Sequence, residues 1–488
     1  MKYCTLWQAL GVSAGLAAAL TGCQKQPRAP DETPAVSKRS SKADRKQLAV
    51  TVYNQNFGVV RETRRLELGR GRVELSFGDV SAHVQPETVR LHSLTAGAAF
   101  EVLEQNYRYD LLTPAKLLEK YVGKRISVYR YNERTGSEEK KTAEVLSVEG
   151  GPTLRMLETG EVTTNFQGRY AFSEVPANLL DKPTLVWLLR SDRPQQDVEV
   201  TYLTRNLNWR ADYVLKLDAQ DRKADLNGWV TLDNQSGTSY ENAALRLVAG
   251  DVNRVAPPVT MSEVAMAREE EAKPQAPQFR QENLFEYHLY SLDRPTSILD
   301  KETKQVALLS AEDVDVVKKL VLNGQEYFYR GQHGQLESKR KASVFVELKN
   351  SEKNRLGMPL PKGTVRLYKA DSSGALQFVG EDSLDHTPRD EQVALKVGEA
   401  FDVLADRVQT EWSQISNCVG EAAYEVEIRN HKDVAEQVEM NEPVGGDWQV
   451  LQHSQPFQKV DAATLRFVVA VPARGASKVS YRIRVRYC

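Results

Sequence analysis

Apolar residues recur at every second position through most of this chain, a period that suits a pleated strand with one buried face and does not suit a helix. The last such run is the plainest: Val479, Tyr481, Ile483, Val485 and Tyr487 fall on one parity, and Ser480, Arg482, Arg484 and Arg486 on the other. That alternation predicts a half-buried antiparallel strand. The same period runs through LAVTVYNQNFGVVRETRRLELGRGRVELSF from Leu48, through PTLVWLLRS, DVEVTYLTRNLNWRADYVLKLD and ADLNGWVTLDNQSG, and later through SVFVELKNS, GTVRLYKADSSGALQFVGEDSL and EQVALKVGEAFDVLADRVQTEW. Gly69-Arg70-Gly71 reads as a hairpin turn between two alternating runs. As a dinucleotide fingerprint it lacks a third glycine and a following helix. The expected fold class is mainly β: tandem antiparallel β-sandwiches with a small inserted β-barrel and an immunoglobulin-like C-terminal module.

One helix interrupts the strands. Thr113 suits the cap, Pro114 the first helical position, Leu117, Leu118 and Tyr121 share a face, and Gly123 ends it. Four or five short strands follow, with turns at Thr135-Gly136, Gly150-Gly151 and Gly160, the rhythm of a small closed barrel. At 488 residues the chain has room for about two to four domains. The parsing that follows is a sandwich over 47–252 with the barrel inserted at about 111–180, and a linker over 253–285, rich in proline, glutamate and alanine. A β-rich domain over 286–418 and an immunoglobulin-like sandwich over 419–488 complete it. The linker is expected to be an exposed joint between two β-rich halves.

Residues 5–22, TLWQALGVSAGLAAALTG, carry no charge, follow Lys2 and end in small residues, which predicts a secretory leader over 1–22. Leu20-Thr21-Gly22-Cys23 resembles the bacterial lipobox. That resemblance implies cleavage before Cys23 and acylation of its sulfur and new amino terminus. Each buried CH₂ contributes roughly 0.8 kcal/mol, so three chains anchor firmly. Gln24, rather than an aspartate, implies by the same resemblance an outer-membrane address facing the periplasm in a diderm cell. Residues 23–46, rich in proline and charge, cannot bury enough surface to offset their ordering entropy and are expected to be a disordered tether. Lys plus Arg number 65 against 66 Asp plus Glu, so no global field points to nucleic acid. The membrane, through the lipid, is the expected contact. Cys418 and Cys488 remain, an even count in an oxidising compartment. Against a bond, Cys488 has the parity of the exposed arginines unless the strand has already ended. The pairing stays open.

Catalytic and metal motifs are missing: there is no His-Glu-x-x-His, no paired Cys-x-x-Cys, no nucleophile elbow and no phosphate loop. Seven scattered histidines show no ligand spacing, and neither metal nor cofactor is expected. The most suggestive local group is Asp382, Asp385 and His386, where an acid beside an imidazole could orient a base. The plainer account is a polar turn in which these side chains satisfy backbone groups. Asp233-Asn234-Gln235-Ser236-Gly237 has a calcium-loop flavour but reads better as a turn. Trp187, Trp209 and Trp229 suit core packing, with stacking on sugar rings as the alternative.

Several stretches, among them LEQNYRYDLLTPAKLLEKYVGK, Leu207-Asn208-Trp209-Arg210-Ala211-Asp212-Tyr213 and Leu247-Val248-Ala249-Gly250-Asp251-Val252, resemble the bacterial domain-of-unknown-function 4139 family, a relative of mucoidy inhibitor A-like proteins. The resemblance covers nearly all of 48–487. It implies an envelope-associated β-rich architecture and carries no catalytic residues with it. The function expected is a lipid-anchored, non-catalytic envelope protein that binds or scaffolds an envelope protein or glycan; the alternative is a hydrolase of envelope glycan or peptide polymers.

Overall fold

The computed structural model describes residues 35–97, 100–133, 136–176, 179–254 and 278–488, and these form a mainly β protein built on three apolar cores. The leader, Cys23 and most of the expected linker lie outside the described residues.

Three sheets enclose the largest core. The first orders its strands Val36–Ser40, Gly71–Phe77, Thr184–Ser191 and Phe100–Arg108. The second is built on the hairpin of Arg45–Tyr53 and Phe57–Glu67, flanked by Tyr240–Ala249 and Gln195–Arg205. The third begins with Leu376–Leu384, Gly363–Ala370, Leu207–Leu217 and Lys223–Asn234 and runs on into the C-terminal part of the chain. Most pairings are antiparallel. Parallel neighbours, such as Tyr240–Ala249 beside Arg45–Tyr53, join segments far apart in sequence.

Gly69-Arg70-Gly71 does not close a hairpin. The strand before it lies in the second sheet and the strand after it in the first, so the turn is a corner between layers. Gly69 (φ 80°) and Gly71 (φ 93°) supply the left-handed conformations it needs.

Residues 35–46 are not a disordered tether either. Val36–Ser40 pairs in parallel with Gly71–Phe77. A short 3-10 turn follows, in which Ser41 and Asp44 form a capping box and the Lys42 amide donates to Asp79 at 3.0 Å. Composition misses this order because long-range partners supply it.

The expected boundaries at 253–285 and 418 do not separate cores. Phe279–Leu284 is a strand paired with Tyr287–Leu292, and Tyr290, Leu308, Val346 and Leu395 lie in the same core as Val50 and Trp209. The reason is strand length. Glu302–Asn323 and Gln392–Ser416 have 22 and 25 residues, roughly 70–80 Å at about 3.3 Å per residue. Their ends therefore reach different cores: Val314 and Val316 join the large one, whereas Leu320 and Leu322 join the C-terminal one. Where Gln335–Lys349 crosses between cores beside Gln392–Ser416, the register shifts four times between Gln335 and Phe345. Such bulges re-aim side chains from one layer to another. The C-terminal core is a two-layer sandwich in which Tyr424 stacks on Tyr481 and Phe467 packs against Tyr481 at a tilt.

The inserted module is an open five-stranded sheet and not a closed barrel. Its order is Val162–Thr164, Thr153–Met156, Ser137–Ser147, Arg125–Asn132, Arg169–Ala171, and the two outer strands do not pair. At three residues each they offer too few ladder bonds for closure. The helix Pro114–Lys120, with Thr113 accepting from the Lys116 amide, covers one end instead; Leu118 and Tyr121 pack there on Ile126, Val128, Val145 and Leu154. A neck of two backbone bonds, Leu112 to Leu180 and Leu180 to Asp110, joins the module to the body.

Candidate functional site

The acids singled out with His386 turn away from it. Asp382 lies in the edge strand Leu376–Leu384, and its carboxylate accepts the Ser383 amide at 2.8 Å and the Lys396 amide at 2.7 Å. The second bond bridges to Gln392–Ser416, whose first residues curl back beside this edge. Asp385 accepts the His386 amide at 2.8 Å. The imidazole instead accepts the Lys362 amide on Nδ1 at 3.2 Å, so the neutral ring carries its proton on Nε2. Nε2 faces the Asn54 side-chain amide at 3.3 Å, and a bond there requires the amide oxygen on that side. Burial lowers the His386 pKa below its ordinary 6.5, with Asp251 and Asp385 opposing. The geometry pins the 45–67 hairpin turn to the segment before Gly363; it places no carboxylate on the ring nitrogens.

Cys418 and Cys488 form a disulfide with Cα atoms 5.5 Å apart. Val419–Asn430 and Gly475–Arg486 are paired from Val419 opposite Arg486, and the Tyr487 amide bonds to the Cys418 carbonyl. The strand ends at Arg486, so its face parity does not reach Cys488. Trp187 and Trp209 are buried, with indole N–H groups donating to Gln105 and to the Val248 carbonyl; Trp229 is half-buried. Asn234 and Ser236 bond each other and nearby carbonyls, the pattern of a turn.

A concave site with room for a ligand lies in the inserted module. The face of its sheet changes character halfway along. Ile126 and Val128, opposite Ala143 and Lys141, begin as core. Arg130 and Asn132, on the same parity, continue it as a polar surface opposite Glu139 and Ser137. Because the outer strands do not close over this half, a cleft of about 760 Å³ remains, within the size range of small-ligand sites. Val128, Met156 and Phe166 form its apolar floor, while Arg130, Lys141, Glu133, Glu139 and Glu161 line its exposed walls. Asn132 donates to Glu139 at 2.8 Å, and Thr159 to Glu161 at 3.2 Å. Gly168 is required beside Phe166, since a Cβ there would collide with that ring and with the Tyr129 carbonyl. The sequence signal for this site is a strand whose apolar parity turns polar before the strand ends, which a search for catalytic motifs passes over.

Among the described residues no group of three His, Cys, Asp or Glu side chains is placed to hold a metal ion, and no helix is long and apolar enough to cross a membrane. No protein-family model matches the chain, and no curated protein matches it. The class that fold and site define is therefore a mainly β protein of stacked sheets carrying an inserted module with an open polar cleft.

Proposed function

We propose that this chain is a lipid-anchored protein of the bacterial cell envelope, at the outer membrane facing the periplasm, that binds or scaffolds an envelope protein or glycan without catalysing a reaction. The observation that carries the binding reading is the inserted module, which has its own core, a narrow neck and a cleft whose charged walls are largely uncommitted to other protein groups. The rest of the molecule reads as a frame, in which buried charges such as Arg64 with Glu62 and Arg407 with Glu442 are paired with one another.

The anchor rests on the uncharged stretch before Leu20-Thr21-Gly22-Cys23. The envelope reading draws also on the resemblance to the domain-of-unknown-function 4139 family. The two segments that carry that resemblance touch, since the Trp209 indole donates to the Val248 carbonyl at 3.1 Å, and Tyr213 reaches the Pro361 carbonyl at 2.8 Å. They read as framework residues. Cys23→Ser is expected to abolish palmitate labelling and to move the protein to the soluble envelope fraction or leave an uncleaved precursor; unchanged labelling overturns the anchor.

A further inference from the structure

The cleft of the inserted module has a lining that distinguishes among ligand chemistries. Its walls hold two cations, Arg130 and Lys141, and three carboxylates, Glu133, Glu139 and Glu161. Neither the Arg130 nor the Lys141 side chain makes a hydrogen bond or ion pair with another described residue. Donors and acceptors therefore stand on the same concave surface with much of their capacity unspent. A hydrocarbon ligand would desolvate these groups and leave them unpaired, at about 1–3 kcal/mol each and more for charged ones. A polyanion would meet more carboxylates than cations. A ligand whose every polar group is both donor and acceptor satisfies both signs, and that is the property of a hydroxyl. Phe166 on the floor adds aromatic surface for the C–H face of a sugar ring. The cleft is open along one side, where the outer strands fail to pair, so a chain can enter and leave without an end.

We infer that the cleft formed by Arg130, Glu139, Lys141, Glu161 and Phe166 binds an uncharged stretch of a glycan chain. This rests on the binding reading above and narrows it to neutral pyranose units. Guanidinium and ammonium donate to ring hydroxyls, the carboxylates accept from them, and Phe166 meets a ring face.

The test uses the full chain in detergent, titrated with cellotetraose and chitotetraose as neutral probes, an alginate tetramer as the anionic probe and a trilysine peptide as the cationic one, read by calorimetry and saturation-transfer NMR. At least one neutral tetramer is expected to bind about tenfold or more tighter than alginate or the peptide. Arg130→Met and Lys141→Met should each weaken it about tenfold, the loss of roughly 1.4 kcal/mol, while Tyr131→Ala, on the opposite face of the sheet, keeps the affinity within about twofold. The Arg130 and Lys141 side chains are exposed, so thermal midpoints should not move. Tighter binding of alginate or peptide overturns the inference, as does neutral binding that both variants leave intact. If no tetramer binds but the chain still crosslinks to an envelope component from position 133 in cells, the glycan class falls and the binding reading stands. If neither occurs, both fall.

Discussion

Arg407 and Glu442 are the buried charges at the centre of the C-terminal core, at 1% and 0% exposure, joined by a 2.6 Å bond from Nη1 to Oε2. Burial pushes the Glu442 carboxyl up, while Arg407 and the Tyr329 hydroxyl, 2.7 Å away, hold it down. Glu337 forms an ion pair with Arg407 at 3.1 Å from Nε, outside hydrogen-bond geometry. Gly324 is part of the same arrangement, because a Cβ there would strike the Glu442 carboxylate. Removing one partner of a buried pair strands the other, so Glu442→Leu should cost about 3–5 kcal/mol in urea unfolding, and adding Arg407→Met should recover most of it; additive losses would contradict the pairing. Both residues were legible as anomalies of parity: Glu442 follows Val438 and Met440 on the inward side, and Arg407 follows Val403 and Ala405. His386 is a pH-dependent contact of a different kind. Its folded pKa is lowered, so the stabilisation it brings is fully present above its ordinary 6.5 and is lost as pH falls through the folded value, when Nδ1 becomes a donor facing the Lys362 amide. The stability difference between wild type and His386→Gln should therefore shrink from pH 7.5 to pH 5, and a difference that grows would contradict the assignment.

Elements were read well where local chemistry sets them. The helix Pro114–Lys120 has the cap, the first-turn proline and the inward Leu118 and Tyr121 that spacing implies, and Gly123 follows at φ 76°. They were misread where distant partners decide. Nothing local in VSKRS announces a parallel strand against Gly71–Phe77, and alternation on both sides of Gly69 does not say that the two runs belong to different sheets. The disulfide lies between these cases. Cysteine count suggested it, face parity opposed it, and the end of Gly475–Arg486 removed the opposition. It closes a loop with a separation of 70 residues, for which the chain-entropy account gives roughly 4 kcal/mol. Cys488→Ser should lower the stability of the C-terminal core by up to about that amount, measured in denaturant without reductant. No change would mean that the pairing of Val419–Asn430 with Gly475–Arg486 already supplies the constraint.

At the scale of the molecule, the fold class was legible and its partition was not. A period of two says that a strand is half-buried, but it does not say that one strand serves two cores, as Glu302–Asn323 and Gln392–Ser416 do. The inserted module was legible as a unit because its helix and turns are local, and its cleft was not, because an unclosed sheet depends on pairings that short edge strands fail to make. The threaded frame and the necked module together lead to the central claim, an anchored body that presents a binding cleft. It is tested most directly by placing a photo-crosslinking amino acid at Glu133 in the full chain within living cells, with a matched probe at exposed Val468 on the C-terminal sandwich. The account predicts a discrete envelope-component adduct from position 133 that Lys141→Met diminishes and that position 468 does not form. Equal labelling from both positions, or none from position 133, would contradict it.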